Sequence, residues 1–422
     1  MKKKMISMLL VSAMAVSLFA GCGANKEADN SQGTGTQEES QESQKGDGNS
    51  ITVLVESGSP AEALANETAA DFEKETGCKV VVDAVAYTGM YDKLSTEIKA
   101  GEAAHDVGCL DVVWLAAFKD AIEPINGADT SDFLPTLEES GTLDGNLLGY
   151  PMWVNAKVLI YRKDLIPEEK VPKTWEEYQA LAKELAKDDM YGTTVFGSGS
   201  DAVCSFLDFA CQAGAKGLVF GEDGKVNITD QAYVDALKFM AENANADYTP
   251  ADSLSTAATE SQELFTNGKV AMQLNWSHQY PAAVEALGAD KVGCAPMIAG
   301  SAGIGATTGP WYECVMKNSA NKEMALKYVE YMYEHNGEYM DLTLKIAGRK
   351  SVYEKAGNEA GKEHTKAVLE TLASEQSQAR PMVTAWAQIE EVLVGVVESS
   401  LGGGDIESAL ESAASEIEAI SR

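Results

Sequence analysis

Two periodicities alternate along the chain. Residues 51–55, 79–85 and 107–110 are apolar runs of strand length, whereas 61–76, 89–100 and 112–119 place apolar residues three and four apart and read as helices. Gly77 is positioned to stop the first of these helices. Strands of four to seven residues separated by helical stretches predict βαβ units and a mainly parallel sheet. Further strands are expected at 157–161, 270–274, 292–295 and 312–316, with helices at 201–213, 230–245, 255–266 and 277–287. Thr174 and Glu177 are spaced as a capping box, so Trp175, in the first turn of that helix, reads as a packing residue. From Asn321 onward the pattern is helical, with segments near 321–335, 337–346, 362–374, 382–399 and 404–420. The pattern as a whole predicts an α/β protein of two lobes with additional C-terminal helices.

The first 50 residues follow neither period. Lys2, Lys3 and Lys4 precede an apolar segment at about 5–19, and Ala20, Gly21 and Cys22 follow it. A short apolar run behind a basic cluster is an export signal; it is too short and too unevenly flanked for a spanning helix. Residues 23–50 are almost entirely Ser, Gln, Glu, Gly, Asn, Asp and Thr, a composition that cannot offset ordering entropy by burial, so they read as a flexible tether.

Composition narrows the field. The 422 residues hold 33 basic and 65 acidic side chains, a net charge of -32, which disfavours nucleic acid and anionic membrane surfaces as partners. A hydrophobic content of 45% is that of a folded protein. Of the seven cysteines, Cys78, Cys109, Cys204, Cys211, Cys294 and Cys314 lie beyond the leader. Export permits disulfides, but the spacing matches no compact framework, and both bridges and buried thiols stay open. No metal site is expected from these cysteines and the four scattered histidines.

Known catalytic patterns are missing from the sequence. Ser57-Gly58-Ser59 and Ser198-Gly199-Ser200 lack the nucleophile-elbow motif, and the glycines at 300–305 carry neither the Walker lysine nor a dinucleotide fingerprint. A glycosidase needs only two carboxylates, and no specific pair stands out among the 65 acids. No cofactor is expected. The six tryptophans are more informative. Trp114, Trp153, Trp276, Trp311 and Trp386 lie near strand ends or turns, with Asp and Asn nearby. Flat rings beside amides and carboxylates suit sugars, whose C–H faces pack on rings while their hydroxyls bond polar edges.

The chain resembles the extracellular solute-binding proteins of ABC importers, in the sugar-binding family that includes maltose-binding protein. The resemblance rests on ordered segments. They are Asp106 to Trp114 with Phe118 and Glu123-Pro124-Ile125; Gly149 to Asn155 with Leu159 to Leu165; Pro172 to Tyr178; Phe265 to Met272 with Trp276; Gly309-Pro310-Trp311; and 380–386. The stretch 18–22 resembles a bacterial lipoprotein processing site, with Phe19 where leucine is commoner, and implies cleavage before Cys22 and lipidation of its thiol.

The resemblance implies a periplasmic-binding-protein-like fold. Lobe one would comprise 51–154 plus about 295–335, and lobe two about 155–294 plus 336–422, behind a signal at 1–21 and a lipidated linker at 22–50. Crossings are expected near 154–158, 295–315 and 333–345. Ligand contacts would come from Asp111, Trp114, Trp153, Asn155, Trp276, Trp311, Tyr312, Trp386 and Arg380, with Tyr87 and Ser57 as weaker candidates. The implied function is capture of a carbohydrate, foremost an oligosaccharide, by a monomer anchored outside the cytoplasmic membrane, and its delivery to an ABC permease without turnover. Alternatives are the same fold holding a polyamine or phosphorylated polyol, a secreted carbohydrate-active enzyme, and a structural surface lipoprotein.

Overall fold

The computed structural model describes residues 49–421 apart from 102–103, 134, 188, 222, 338–347, 350 and 353–362. The expected signal, Cys22, nearly all of the tether and most of the helix expected at 337–346 lie outside the described residues, as does part of the crossing expected at 333–345.

The N-terminal elements run β1 (Ser50–Glu56), α1 (Pro60–Thr76), β2 (Lys79–Val85), α2 (Tyr87–Ala100), β3 (Val107–Asp111) and α3 (Val112–Phe118). Ser59 caps α1 by accepting from the N–H groups of Ala61 and Glu62, and Gly77, at φ 76°, ends it in the left-handed conformation. β1 lies between β2 and β3 and is parallel to both. The C-terminal ends of β1 and β3 therefore open on one edge of the sheet, where α/β folds place their ligands.

After α4 (Pro135–Gly141) and a small hairpin of β4 (Thr142–Leu143) and β5 (Asn146–Leu147), the chain crosses between sheets. Only Ala156 separates β6 (Tyr150–Asn155) from β7 (Lys157–Arg162). β6 nevertheless joins the first sheet through β10 (Thr307–Val315), whereas β7 is the centre of a three-stranded sheet with β8 (Met272–Trp276) and β9 (Val292–Ala295). The start of β10 also pairs with β11 (Gln378–Ala379), giving the first sheet the order β11-β10-β3-β1-β2 with β6 on β10.

The expectation of a mainly parallel sheet holds for β2-β1-β3 and for the short β10–β11 pair. β10 is antiparallel to β3 and to β6, and the second sheet is antiparallel throughout. The cause is connectivity: chain segments that leave one lobe and return to it must enter its sheet in opposite directions. Two boundaries also differ from the pattern. β6 was not expected, because Pro151 reads as a turn, and β10 starts before Gly309 and Pro310 rather than after them. A register shift between Trp311 and Tyr312 lets β10 carry both residues while still pairing with β6.

The second lobe is covered by α5 (Trp175–Leu185), α6 (Gly199–Ala213), α7 (Gln231–Ala244), α8 (Ala258–Thr266) and α9 (Gln279–Leu287). α10 (Lys322–His335) packs on α1 and β10 of the first lobe. α11 (Glu363–Leu372) and α12 (Trp386–Leu401) return to the second, and α13 (Ile406–Ile420) closes over α12 and α7. Trp175 is a packing residue: its ring stacks on Phe239 at 4.3 Å and its Nε1 donates to Gln212.

No disulfide joins the six described cysteines to one another, and five of them are buried, which settles the open question of bridges among them. Burial pushes up the thiols of Cys109, Cys204, Cys211, Cys294 and Cys314, Cys204 to about 12, so these behave as small apolar side chains.

Candidate functional site

The ends of β1, β3, β6 and β8 and the starts of α2 and α6 meet at a cavity of about 330 Å³. β1 delivers Glu56, the first charged residue after its apolar run, and β3 delivers Asp111. Asp111 also caps α3, with Oδ1 accepting from the Val113 N–H at 3.4 Å. Two further groups converge on it. Arg380, just beyond β11, donates from Nη2 to Oδ1 at 2.5 Å, and the Tyr87 hydroxyl at the start of α2 donates to Oδ2 at 3.1 Å. The Arg380–Asp111 pair is buried, with side chains 5% and 3% exposed. Burial opposes the guanidinium charge, but Asp111, Cys204 and Tyr87 outweigh it and hold Arg380 above its ordinary pKa. Gly309 makes room for the arrangement, because a Cβ there would sit 2.9 Å from Arg380 Nη2.

The aromatic wall is built in layers. Trp311 lines the cavity and stacks on Trp153 behind it at 5.5 Å, while Trp114 meets Trp311 edge-on at 5.8 Å and Tyr87 at 4.9 Å. Opposite, from the second lobe, β8 ends in Trp276, whose Nε1 donates to Asp201 Oδ1 at 2.7 Å. Asp201 lies in the first turn of α6, and its Oδ2 accepts from the Ala258 N–H at 3.0 Å.

Several polar atoms at this place have no hydrogen-bond partner among the described residues: Asn155 Oδ1, Arg380 Nε and His278 Nδ1 are buried and unbonded. Burial lowers His278 to about 4 despite the nearby Asp201, so the imidazole is neutral at pH 7. Glu56 is raised to about 7, first by burial and then by the charges of Asp111 and Asp201. Glu390 on α12 is likewise raised to about 7 by burial, with Arg380 pulling it down and Asp111 pushing it up.

Six of the residues expected at the site line this cavity: Tyr87, Asp111, Asn155, Trp276, Trp311 and Arg380. Trp114 and Trp153 lie one layer behind, packed against Trp311. The other three are placed elsewhere. Tyr312 alternates to the opposite face of β10, where its hydroxyl donates to the Leu137 carbonyl and bonds Ser140. Trp386 is buried at the start of α12, outside the cavity lining, and Ser57 is exposed in the turn before α1. Glu56, Asp201 and His278 were not anticipated. A signal for Glu56 did exist, since it is the lone acid at the mouth of an otherwise apolar strand, whereas α6 carries Asp208 as well as Asp201.

A larger open groove of about 1530 Å³ borders Ala379, Pro381 and Gln388. Arg380, between the first two, turns from it into the smaller cavity. Unpaired polar atoms and cleft-facing tryptophans converge on the smaller cavity, which is therefore the candidate binding site.

Comparison with known proteins bears on the fold and the family. A sequence profile described as bacterial extracellular solute-binding protein matches residues 52–338. A binding protein of Brucella abortus is 25% identical over 83% of this chain and 87% of its own length. The maltooligosaccharide ABC transporter solute-binding lipoprotein of Streptococcus pneumoniae is 28% identical over 53% of this chain and 50% of its own. The structure of maltose-bound MalE3 from T. maritima superposes with a TM-score of 0.78, covering 88% of this chain and 99% of that one at 26% identity. With a two-lobed α/β architecture and a ring-lined cavity at the strand ends, the chain belongs to the family of bacterial extracellular solute-binding proteins.

Proposed function

We propose that the protein captures a neutral carbohydrate of one or two rings in the 330 Å³ cavity and delivers it to an ABC permease. One observation carries this reading: an unpaired donor, Arg380 Nε, an unpaired acceptor, Asn155 Oδ1, and the raised carboxyl of Glu56 surround two cavity-lining indoles. Hydroxyl groups both donate and accept, so a sugar ring satisfies such a set while its apolar faces lie on Trp276 and Trp311. The volume stands at the low end of the roughly 300–1,000 Å³ typical of small-molecule sites, which favours a short ligand over the longer oligosaccharide.

The alternatives fare less well. A polyamine needs several free carboxylates, but Asp111 is engaged by Arg380 and Tyr87, and Asp201 by Trp276 and Ala258, which leaves Glu56. A phosphorylated ligand needs a free cation, and the two cations beside the cavity, Arg380 and Lys157, are held by Asp111 and Asp208. Families of this kind bind rather than turn over their ligands, and binding without catalysis is the reading adopted here. Ligand contact with both lobes would favour a closed form that the permease reads. Membership of an extracellular family means export. Anchoring through a lipid on Cys22, with the polar tether beyond it and a monomeric body, completes the proposal.

Calorimetry of the mature chain against glucose, maltose, longer maltooligosaccharides, spermidine and a hexose phosphate tests it. Saturable binding of glucose or maltose is expected. Binding confined to spermidine or the phosphate overturns the carbohydrate reading, and preference for the longer chains overturns the size assignment.

A further inference from the structure

We propose that Lys157 is a positioning residue that fixes the plane of Trp276 against the ligand; as a statement about ligand affinity, this rests on the carbohydrate reading above. Lys157 is 1% exposed, and it stands directly opposite Trp276 in the β7–β8 register. Its Nζ lies 4.5 Å from the centroid of the Trp276 ring, within cation–π range, and donates to Asp208 Oδ2 at 3.1 Å.

A buried ammonium is costly even when paired, and an apolar side chain of similar length fills the same space without that cost. Asp208 does not need Lys157 to be bonded, because its Oδ1 already accepts from the N–H and hydroxyl of Thr307 at 2.6 and 2.7 Å. The ring does need a second restraint. Asp201 holds Trp276 only at Nε1, which leaves the indole able to swing about that edge. Trp276 lines the cavity and Lys157 does not, so the ammonium sits against the ring from the protein side and leaves the cavity side for the ligand.

α6 supplies both anchors. Asp201 and Asp208 are seven residues apart and share one face of the helix, so the edge and the face of the indole are set by a single rigid element. Asp208 also grips Thr307 at the start of β10, and Lys157 follows the β6–β7 crossing. The orientation of Trp276 is thereby tied to the points where the chain passes between lobes.

The test uses the mature chain carrying Lys157→Met together with Asp208→Asn, which removes both charges and leaves neither buried alone. A Lys157→Arg chain, which retains a cation, is the rescue. Two readouts are taken: maltose affinity by calorimetry, and the emission of Trp276 in the ligand-free protein, isolated by subtracting the spectrum of the matching Trp276→Phe chain. Maltose affinity is expected to fall about tenfold, within the range of one desolvated cation–π contact. The Trp276 emission is expected to shift, and Lys157→Arg is expected to recover most of both. Unchanged Trp276 emission in the double variant overturns the proposal, whatever the affinity. So does shifted emission with affinity within twofold of the parent, or a lowered Tm with both readouts unmoved. If the parent binds no saccharide, the carbohydrate reading fails, and the emission comparison alone decides whether Lys157 orients the ring.

Discussion

Replacing Glu56 by glutamine should stabilise the protein at neutral pH and leave it unchanged in acid. The side chain keeps its shape and loses only its ability to ionise. In the folded protein, burial and the flanking Asp111 and Asp201 raise the carboxyl from 4.5 to about 7. Below about pH 4.5 the group is protonated in the folded and the unfolded chain alike, and it adds nothing to the pH dependence. Between there and about pH 7 the unfolded chain releases the proton while the folded chain keeps it, so parent stability falls as the pH rises and stops falling above the folded pKa. At about 1.4 kcal/mol per pH unit, that interval bounds the penalty at about 3 kcal/mol. Water entering the cavity beside the carboxylate reduces it, and about 2–3 kcal/mol is expected. Glu313 and Glu390 are also raised, to about 8 and about 7, but both remain in the two proteins, so the difference between parent and variant isolates Glu56. Urea unfolding of each at pH 4.5 and about pH 8, extrapolated to water, gives the four free energies required. A gap between the proteins that does not change with pH, or that favours the parent at the higher pH, refutes the assignment of Glu56 as a buried acid among like charges.

Trp276→Ala should weaken saccharide binding by tenfold or more while shifting Tm by only a few degrees, measured by calorimetry and thermal melts, because the ring faces the cavity from a strand end. Arg380→Met should destabilise the fold by about 3 kcal/mol, since it leaves the buried Asp111 carboxylate without its counter-charge; adding Asp111→Asn should recover much of that loss in chemical denaturation. Gly309→Ala should displace the guanidinium, whose Nη2 lies 2.9 Å from the new Cβ, and lower ligand affinity more than it lowers Tm.

Much of the scaffold was legible because burial writes a simple code. β1, β3 and α1 announced themselves through apolar runs, apolar periodicity and the Gly77 stop, and the cavity lies where those runs end. β6 was not legible, since a proline within a short run reads as a turn, and its place beside β10 is a long-range pairing that no local pattern records. The tryptophans pointed to the right region, but sequence cannot tell a ring in the cavity from one behind it: Trp153 and Trp311 face each other across a strand pair and differ by one layer. Tyr312 shows the same limit, because the side of β10 that meets the cavity is fixed by register with β3 and β6. Glu56 was passed over for its neighbour Ser57, although alternation from the buried Val55 leaves the side chain of residue 56 at the strand mouth.

The thiols of the body carry a consequence for where the protein works. Five of the six described cysteines are buried, no disulfide links the described residues, and burial holds the thiols of Cys109, Cys204, Cys211, Cys294 and Cys314 far from ionisation. Only the thiolate attacks a disulfide or an oxidant, so these side chains are chemically quiet on either side of the membrane. The folded body therefore needs no oxidative folding catalyst after export and loses nothing to reductant. Its integrity is independent of the redox poise outside the cell, and the same fold serves in anoxic and in aerated surroundings.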